Sequence, residues 1–187
     1  MKKLKVYIAG KVSPNSVFGT HDWRDAFCQK LGDLSGFELV NLDPTKTDEN
    51  FHLDKNNSEL VFGRDSFMIK SADLVIVNLT DDISVGGSQE MLIAKYYHKP
   101  LIGIAALGGK FHKQEAEIMG KIYKNWVHVF VAVPCDVVVL NIESAAEFIK
   151  DFFSKDGAPV KNIAIIDDAV KYYEDNFYEK DEFMKNI

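Results

Sequence analysis

An apolar segment, 74–79, leads through a polar turn into two glycines and a helical pattern. Its β-branched residues predict a buried strand. Gly86, Gly87 and Ser88 predict a glycine loop, and a helix is expected to begin near Gln89. In open parallel sheets the ligand crevice lies outside the carboxyl ends of the strands. A functional site is therefore expected directly after this strand.

Strands and helices alternate along the chain. Apolar and helical spacing predicts strands over 4–9, 37–41, 74–79, 101–105 and 127–133, and helices over 22–34, 60–71, 89–97, 115–123, 144–153 and 163–177. Residues 136–140 fit either a short extension or an edge strand. This alternation predicts an α/β protein with a five-stranded, mainly parallel sheet. The expected architecture is a flavodoxin-like three-layer sandwich, because no GxGxxG motif follows the first strand.

The length of 187 residues suits one domain with its own core. We predict an α/β domain over 1–153 and a C-terminal helical extension over 154–187 that packs on it. The net charge of −6 argues against binding to a nucleic acid polymer or an anionic membrane, because both need a basic field. The absence of a signal-like or membrane-spanning segment predicts a cytoplasmic protein. Cys28 and Cys135 form no CxxC pair and predict reduced thiols.

Three side chains near the expected site could carry chemistry. Glu90 falls in the predicted first helical turn, where free backbone N–H groups favour its ionised form. Asp65 lies on the helix before the third strand, and Tyr7 lies mid-strand, where a buried hydroxyl needs a partner. Each also fits an ordinary structural role as a helix-start, surface or core residue. The five histidines lack metal-ligand spacing and no GxSxG motif is present, so neither a metal site nor a serine hydrolase is expected.

Short motifs follow one another in a distinctive order between residues 4 and 105. They are Tyr7-Ile-Ala-Gly10, Asp65 with Ile69, Ala72-Asp73 before the apolar strand, Gly86 with Glu90, and Lys99-Pro100. This order resembles the nucleoside 2-deoxyribosyltransferase superfamily, which also includes 2'-deoxynucleoside 5'-phosphate N-hydrolases. The resemblance implies a flavodoxin-like fold and a double displacement at the anomeric carbon of a 2'-deoxynucleoside. It implies no cofactor and no metal.

The resemblance also implies roles for individual residues. Glu90 corresponds to the nucleophile, Asp65 to the carboxylate that handles the proton of the base, and Tyr7 to the hydroxyl that holds the glutamate in line. Gly10 would let the backbone approach the substrate. These roles are chemically consistent, because a carboxylate stabilises an oxocarbenium-like state and can form a sugar ester, while a second acid protonates the leaving base.

One position departs from the transferases that act on free nucleosides. They usually carry an aspartate six residues before the nucleophile, where this chain has Ser84. The nucleotide N-hydrolases of this superfamily carry a serine at that position. A serine hydroxyl can donate a hydrogen bond to a 5'-phosphate. Ser84, Gly86, Gly87 and Ser88 then fit a small phosphate-tolerant loop, with Arg24 as a further phosphate ligand. Alternatively, Ser84 is a plain turn residue and Arg24 packs on the first helix.

The sequence leaves several functions open. The favoured one is a deoxyribosyltransferase that moves the sugar to another base, with a nucleoside or nucleoside 5'-monophosphate and a free nucleobase as small-molecule partners. The alternatives are a 5'-monophosphate N-glycosidase and a catalytically weak nucleotide-binding module. A flavodoxin-like electron carrier is less favoured, because the first loop lacks a Ser/Thr-rich phosphate cradle. The resemblance further implies a homo-oligomer in which a neighbour completes the pocket.

Overall fold

The computed structural model describes residues 2–10, 23–80, 82–155 and 158–187. Its strands are β1 (Lys3–Ala9), β2 (Glu38–Asn41), β3 (Leu74–Asn78), β4 (Leu101–Ile104), β5 (His112–Ile118), β6 (Lys121–Val127) and β7 (Val137–Val139). Its α-helices are α1 (Trp23–Ser35), α2 (Ser58–Ser71), α3 (Val85–Tyr96), α4 (Val129–Ala132), α5 (Ile142–Ser154), α6 (Ile165–Asn176) and α7 (Glu182–Lys185). A 3-10 turn spans Tyr178–Lys180. The predicted loop between the first strand and the first helix lies outside the described residues, and so does Asp22 at the predicted start of that helix.

Five parallel strands form the central sheet in the order β2-β1-β3-β4-β7. This is the flavodoxin-like order, and it confirms the predicted α/β sandwich. The strand order reverses between β1 and β3, so a crevice is expected outside their carboxyl ends. The register pairs Tyr7 with Val75 and Ala9 with Val77, which brings the ends of both strands to this point.

The sheet separates two apolar layers. Alternation along β1 sends Val6 and Ile8 to the cluster with α1 and α5, and Tyr7 and Ala9 to the cluster that includes Met91 of α3. All four β1 residues are at most 1% exposed. The pleat therefore directs the Tyr7 side chain towards the helix that carries Glu90.

The segment after β4 differs from its prediction. The expected helix over 115–123 is wrong, because β5 and β6 form an antiparallel hairpin there. Met119 and Gly120 have φ of 52° and 74° at its turn, and positive φ at both central positions is typical of a tight type I' hairpin turn. The expected strand over 127–133 is also wrong, since most of it forms α4. The fifth sheet strand is β7, within the segment 136–140 that fitted an edge strand.

Helix α3 begins earlier than predicted. Ser84 is its N-cap, so Gly86, Gly87 and Ser88 belong to the first helical turn and do not form a loop. Glu90 is consequently the sixth helical residue, one turn later than expected. Among the described residues, no helix combines the length and apolar character required to cross a membrane.

Candidate active site

The centre of the candidate site is a contact between β1 and α3. The Tyr7 hydroxyl donates a hydrogen bond of 2.9 Å to Oε1 of Glu90, across 83 positions of sequence. Tyr7 is fully buried and Glu90 is partly buried. The strand fixes the phenol ring, so the hydroxyl holds the carboxylate at the carboxyl end of β1.

The start of α3 shapes the surroundings of this carboxylate. Helical side chains lean towards the N-terminus of their helix, and Glu90 does so: a Cβ built on Gly86 would lie 3.7 Å from Glu90 Oε1. A Cβ on Gly87 would lie 3.0 Å from Cγ1 of Ile83, which is too close without movement. Glycine at 87 thus permits the tight entry into the helix.

Burial dominates the electrostatics of the pair. It raises the pKa of Glu90 to about 7, and the hydrogen bond from Tyr7 opposes that rise. Asp65 raises the pKa of Glu90 further, whereas the positive charge of Arg24 lowers it. Burial, with the charge of Glu90, also raises the pKa of Tyr7 well above its usual range. The phenol therefore remains a neutral donor at every physiological pH.

Asp65 lies on α2, partly buried, and close enough to influence the pKa of both Tyr7 and Glu90. Burial raises the pKa of the Asp65 carboxyl, and the neighbouring Arg64 opposes this. A carboxyl group with a raised pKa holds its proton more readily and suits an acid–base role. The structure thus brings together the three predicted catalytic residues, whose roles remain predictions.

Arg64 was not singled out from the sequence. Its Nη1 donates to the carbonyl oxygen of Pro44 at 2.9 Å, and its Nη2 donates to that of Lys46. The guanidinium also lies 5.8 Å from the ring centroid of Phe51. Arg64 therefore fixes the polar segment 43–57 beside Asp65. An arginine in a helical pattern gives no sign of such distant backbone partners, so the sequence could not reveal this contact.

Arg24 lies at the carboxyl end of β1 and is 1% exposed. Its Nε donates to the Ile8 carbonyl at 3.1 Å and its Nη2 to the Gly10 carbonyl at 3.0 Å. The guanidinium lies 4.6 Å from the centroid of Trp23. These contacts hold the end of the strand in place. The predicted phosphate contact of Arg24, and the approach of substrate to Gly10, stay predictions.

The two serines of the predicted phosphate loop have different surroundings. Ser84 Oγ accepts a hydrogen bond of 3.0 Å from the Gly87 amide, which leaves its hydroxyl proton able to donate elsewhere. Ser88 Oγ donates to the Val85 carbonyl at 2.7 Å and lines an apolar groove on another side of α3. A Cβ built on Gly86 would lie 3.7 Å from Glu90 Oε1 and 3.9 Å from Ser84 Oγ, so these residues share one neighbourhood, whereas Ser88 lines the groove. Within the described ranges, no group of three or more His, Cys, Asp or Glu is arranged to hold a metal ion.

Comparisons with known proteins find similar folds among solved structures. No protein-family model matches the sequence, and no curated protein matches it at a significant level. The structure is similar to a conserved protein from Enterococcus faecalis V583, with a TM-score of 0.58 and 17% identity, over 80% of this chain and 99% of that one. It is also similar to the 2-deoxyribosyltransferase from Bacillus psychrosaccharolyticus, with a TM-score of 0.51 and 15% identity, over 84% and 98%. At these identities the likeness shows a shared fold, which is the fold that the resemblance predicted.

Proposed function

We propose that this protein is an enzyme that cleaves the N-glycosidic bond of 2'-deoxynucleosides and transfers the sugar to another base. The observation that carries the proposal is the 2.9 Å hydrogen bond from buried Tyr7 to Glu90, with Asp65 beside it. The fold shared with a 2-deoxyribosyltransferase supports the same reaction class.

In the first step the Glu90 carboxylate attacks the anomeric carbon. A carbon–oxygen bond forms as the carbon–nitrogen bond breaks, and the electron pair of that bond leaves with the base. Asp65, as the neutral acid, gives its proton to the departing nitrogen. The product is a deoxyribosyl ester on Glu90, an ionised Asp65 and a free base.

In the second step an incoming base attacks the same carbon and the ester bond to Glu90 breaks. The Asp65 carboxylate accepts the proton that the incoming nitrogen loses, so both carboxyl groups return to their starting states. Water in place of the base would give the free sugar. A 2'-hydroxyl withdraws electrons from the oxocarbenium-like transition state, so 2'-deoxy sugars react more readily.

Tyr7 serves this chemistry as a fixed neutral donor. Its raised pKa keeps the proton on the phenol, and its hydrogen bond favours the ionised form of Glu90. The bond also limits rotation of the carboxylate, which keeps one oxygen available for attack.

A second candidate is hydrolysis of 2'-deoxynucleoside 5'-monophosphates. The observation that favours it is Ser84 at the N-cap of α3, with a hydroxyl proton that its cap interaction does not use. The N-terminus of a helix attracts phosphate groups through its free amides and dipole. A carboxylate at this position would repel the same phosphate.

The test is chromatography of the purified protein incubated with 2'-deoxynucleosides or their 5'-monophosphates, with and without a second free base. Transfer predicts a new nucleoside only when the second base is present. Hydrolysis predicts free base from monophosphates alone, and Ser84→Asp should then suppress it. Loss of the nucleophile in Glu90→Gln should lower either rate by at least about 10⁴-fold. Acid quenching followed by mass spectrometry should trap a deoxyribosyl adduct on Glu90.

The matched control is Glu59→Gln. Glu59 is an exposed glutamate in the first turn of α2, and its substitution should leave the rate unchanged. Equal activity of Glu90→Gln and wild type would overturn the proposal. Stabilisation of the folded protein by a nucleotide, with no product from any substrate, would point to a binding module.

A further inference from the structure

The polar segment 43–57 leaves the sheet at the carboxyl end of β2, the strand next to β1. The Leu42 amide donates to the Val6 carbonyl at 2.8 Å, so the chain still follows β1 just before the segment begins. Oδ1 of Asp43, which is 4% exposed, accepts hydrogen bonds from the Thr45 amide at 2.9 Å and the Thr45 hydroxyl at 2.7 Å. The segment therefore starts as a fixed turn at the edge of the sheet that carries the candidate site.

Helices on both faces of the sheet hold the next residues of this turn. The Lys46 side chain forms an ion pair with Asp25 of α1, which packs on one face. The Lys46 carbonyl accepts a hydrogen bond from Nη2 of Arg64 on α2, which packs on the other face, and Nη1 of Arg64 donates to the Pro44 carbonyl at 2.9 Å. Arg64 therefore ties the segment to the helix that carries Asp65, across 20 and 18 positions of sequence.

The two cations of this region differ in their partners. Lys46 pairs with a carboxylate, whereas Arg64 forms no ion pair among the described residues and donates to neutral carbonyl oxygens. Arg64 is half-buried, and the centroid of the Phe51 ring lies 5.8 Å from its guanidinium. A guanidinium stays protonated at every physiological pH. The positive charge of Arg64 is therefore permanent, and it can act on an acid nearby.

Asp65 follows Arg64 directly on α2. Successive helical positions point about 100° apart, so the two side chains occupy different sides of the helix. Asp65 acts electrostatically on Tyr7 of β1 and on Glu90 of α3. Burial raises the pKa of Asp65, and the charge of Arg64 opposes that rise. Of these neighbours of Asp65 on three elements, Arg64 is the one that carries a positive charge.

We propose that Arg64 is a positioning residue for the acid–base group of the reaction, because it holds residues 44–46 against α2 and keeps a fixed positive charge beside Asp65. This role rests on the acid–base function proposed above for Asp65. When the Asp65 oxygen gives its proton to the nitrogen of the departing base, the carboxyl group becomes an anion, and the charge of Arg64 stabilises it. The incoming base returns a proton to Asp65 in the second step. Arg64 neither gains nor loses a proton in either step.

The first test is a pH titration of the Asp65 carboxyl carbon by NMR, with the signal identified by its absence in Asp65→Asn. Arg64→Gln removes the charge and should raise the pKa of Asp65, whereas Arg64→Lys keeps the charge and should leave that pKa near the wild-type value. The control is Lys46→Gln, which removes the cation that pairs with Asp25 and should not move the pKa of Asp65. An unchanged pKa in Arg64→Gln would overturn the proposal.

The second test is hydrogen exchange of the Thr45 and Lys46 amides, which both donate to Asp43. Exchange should become at least about tenfold faster in Arg64→Gln and in Arg64→Lys, because neither side chain reproduces the fork that reaches two carbonyls. The control is Lys70→Gln, an exposed change later on α2 that should leave the exchange rates unchanged. Exchange at wild-type rates in both Arg64 variants would equally contradict the proposal.

Turnover provides the third readout. Arg64→Gln should lower kcat by about 10-fold to 100-fold with a smaller change in KM, and Arg64→Lys should recover part of the loss. A change in KM alone would exclude a role in the acid–base step. Absence of product from the wild-type protein would refute the proposed reaction. The titration and the exchange measurement need no substrate, so failure of the reaction and failure of the role of Arg64 can be told apart.

Discussion

Helix α3 carries two ionisable side chains that are partly or fully buried, Glu90 and Lys95, and their surroundings differ. In the middle of the helix, the Glu90 carboxylate accepts a hydrogen bond from the neutral phenol of Tyr7. In the last turn, Lys95 is fully buried and forms an ion pair with Asp136, a carboxylate with 7% side-chain exposure. The same helix thus carries Glu90, whose hydrogen-bond donor is neutral, and Lys95, whose charge is balanced by the carboxylate of Asp136.

The Lys95–Asp136 pair is surrounded by further partners. Asp136 accepts hydrogen bonds of 2.7 Å from the backbone amides of both Leu101 and Lys161, in addition to the one from Lys95. Lys95 also donates to the Lys99 carbonyl at 2.9 Å. These bonds connect α3, the start of β4 and the C-terminal segment. Because the charges of Lys95 and Asp136 are paired and hydrogen-bonded, this buried pair has a structural role: it holds these three segments together.

Among the residues that the structure describes, no cation is bonded to Glu90, and burial raises its pKa to about 7. Burial alone therefore does not distinguish a candidate reactive group, such as Glu90, from a structural one, such as Lys95. Incomplete compensation distinguishes Glu90, because a carboxyl group whose pKa is raised to about 7 suits the nucleophile role that we propose for it. Three measurements can test this distinction.

The largest effect on stability is expected at the Lys95–Asp136 pair. Lys95→Met should lower the free energy of unfolding by about 3–5 kcal/mol, because it leaves Asp136 buried without its cation. Denaturant titration measures the change. Lys155→Met is the control, since Lys155 pairs with Asp151 on the surface, where such pairs contribute about 0.3–0.5 kcal/mol. Similar losses in both variants would contradict the structural role of the buried pair.

A smaller change in the free energy of unfolding, a gain and not a loss, is expected when Glu90 is replaced by glutamine. Its folded pKa lies above the usual value of 4.5, so its contribution to stability is fully present below pH 4.5 and is lost as pH rises through about 7. Glu90→Gln avoids this loss. It should be more stable than wild type by about 1–3 kcal/mol at pH 8 and nearly equal to it at pH 4. Denaturant titration across this range measures the difference, and a constant difference at all pH values would contradict it.

The smallest effect is expected from the hydrogen bond itself. Tyr7→Phe removes the interaction that lowers the pKa of Glu90, so that pKa should rise by up to about one unit. The acidic limb of the pH profile of kcat/KM should move to higher pH by the same amount. An unchanged acidic limb, with folding intact, would show that the bond does not control the ionisation of Glu90.

The fold was predictable where packing gives the sequence a simple hydrophobic pattern. The buried strands β1, β3 and β4 lie within one or two residues of their predicted bounds, because each is a short apolar run between helices. The hairpin was missed because most of its residues are exposed, apart from buried Ala116 and the partly buried residues at its base, and this removes the alternation that identifies a strand. Its helix-compatible residues then favoured the wrong prediction. The start of α3 was missed because Gly86 and Gly87 predict a loop, whereas the Ser84 cap overrides that preference.

The parallel α/β architecture and the candidate residues Tyr7, Asp65 and Glu90 could be inferred from the sequence. Hydrophobic period and residue type are local properties, so they can be read along the chain. The contacts of Tyr7 with Glu90 and of Lys95 with Asp136 arise from the tertiary structure and could not be inferred from the sequence. Contacts across 83 and 41 positions depend on strand order and register, which arise from packing of the whole sheet. The perturbed pKa of Glu90 follows from the same cause, because burial exists only in the assembled fold.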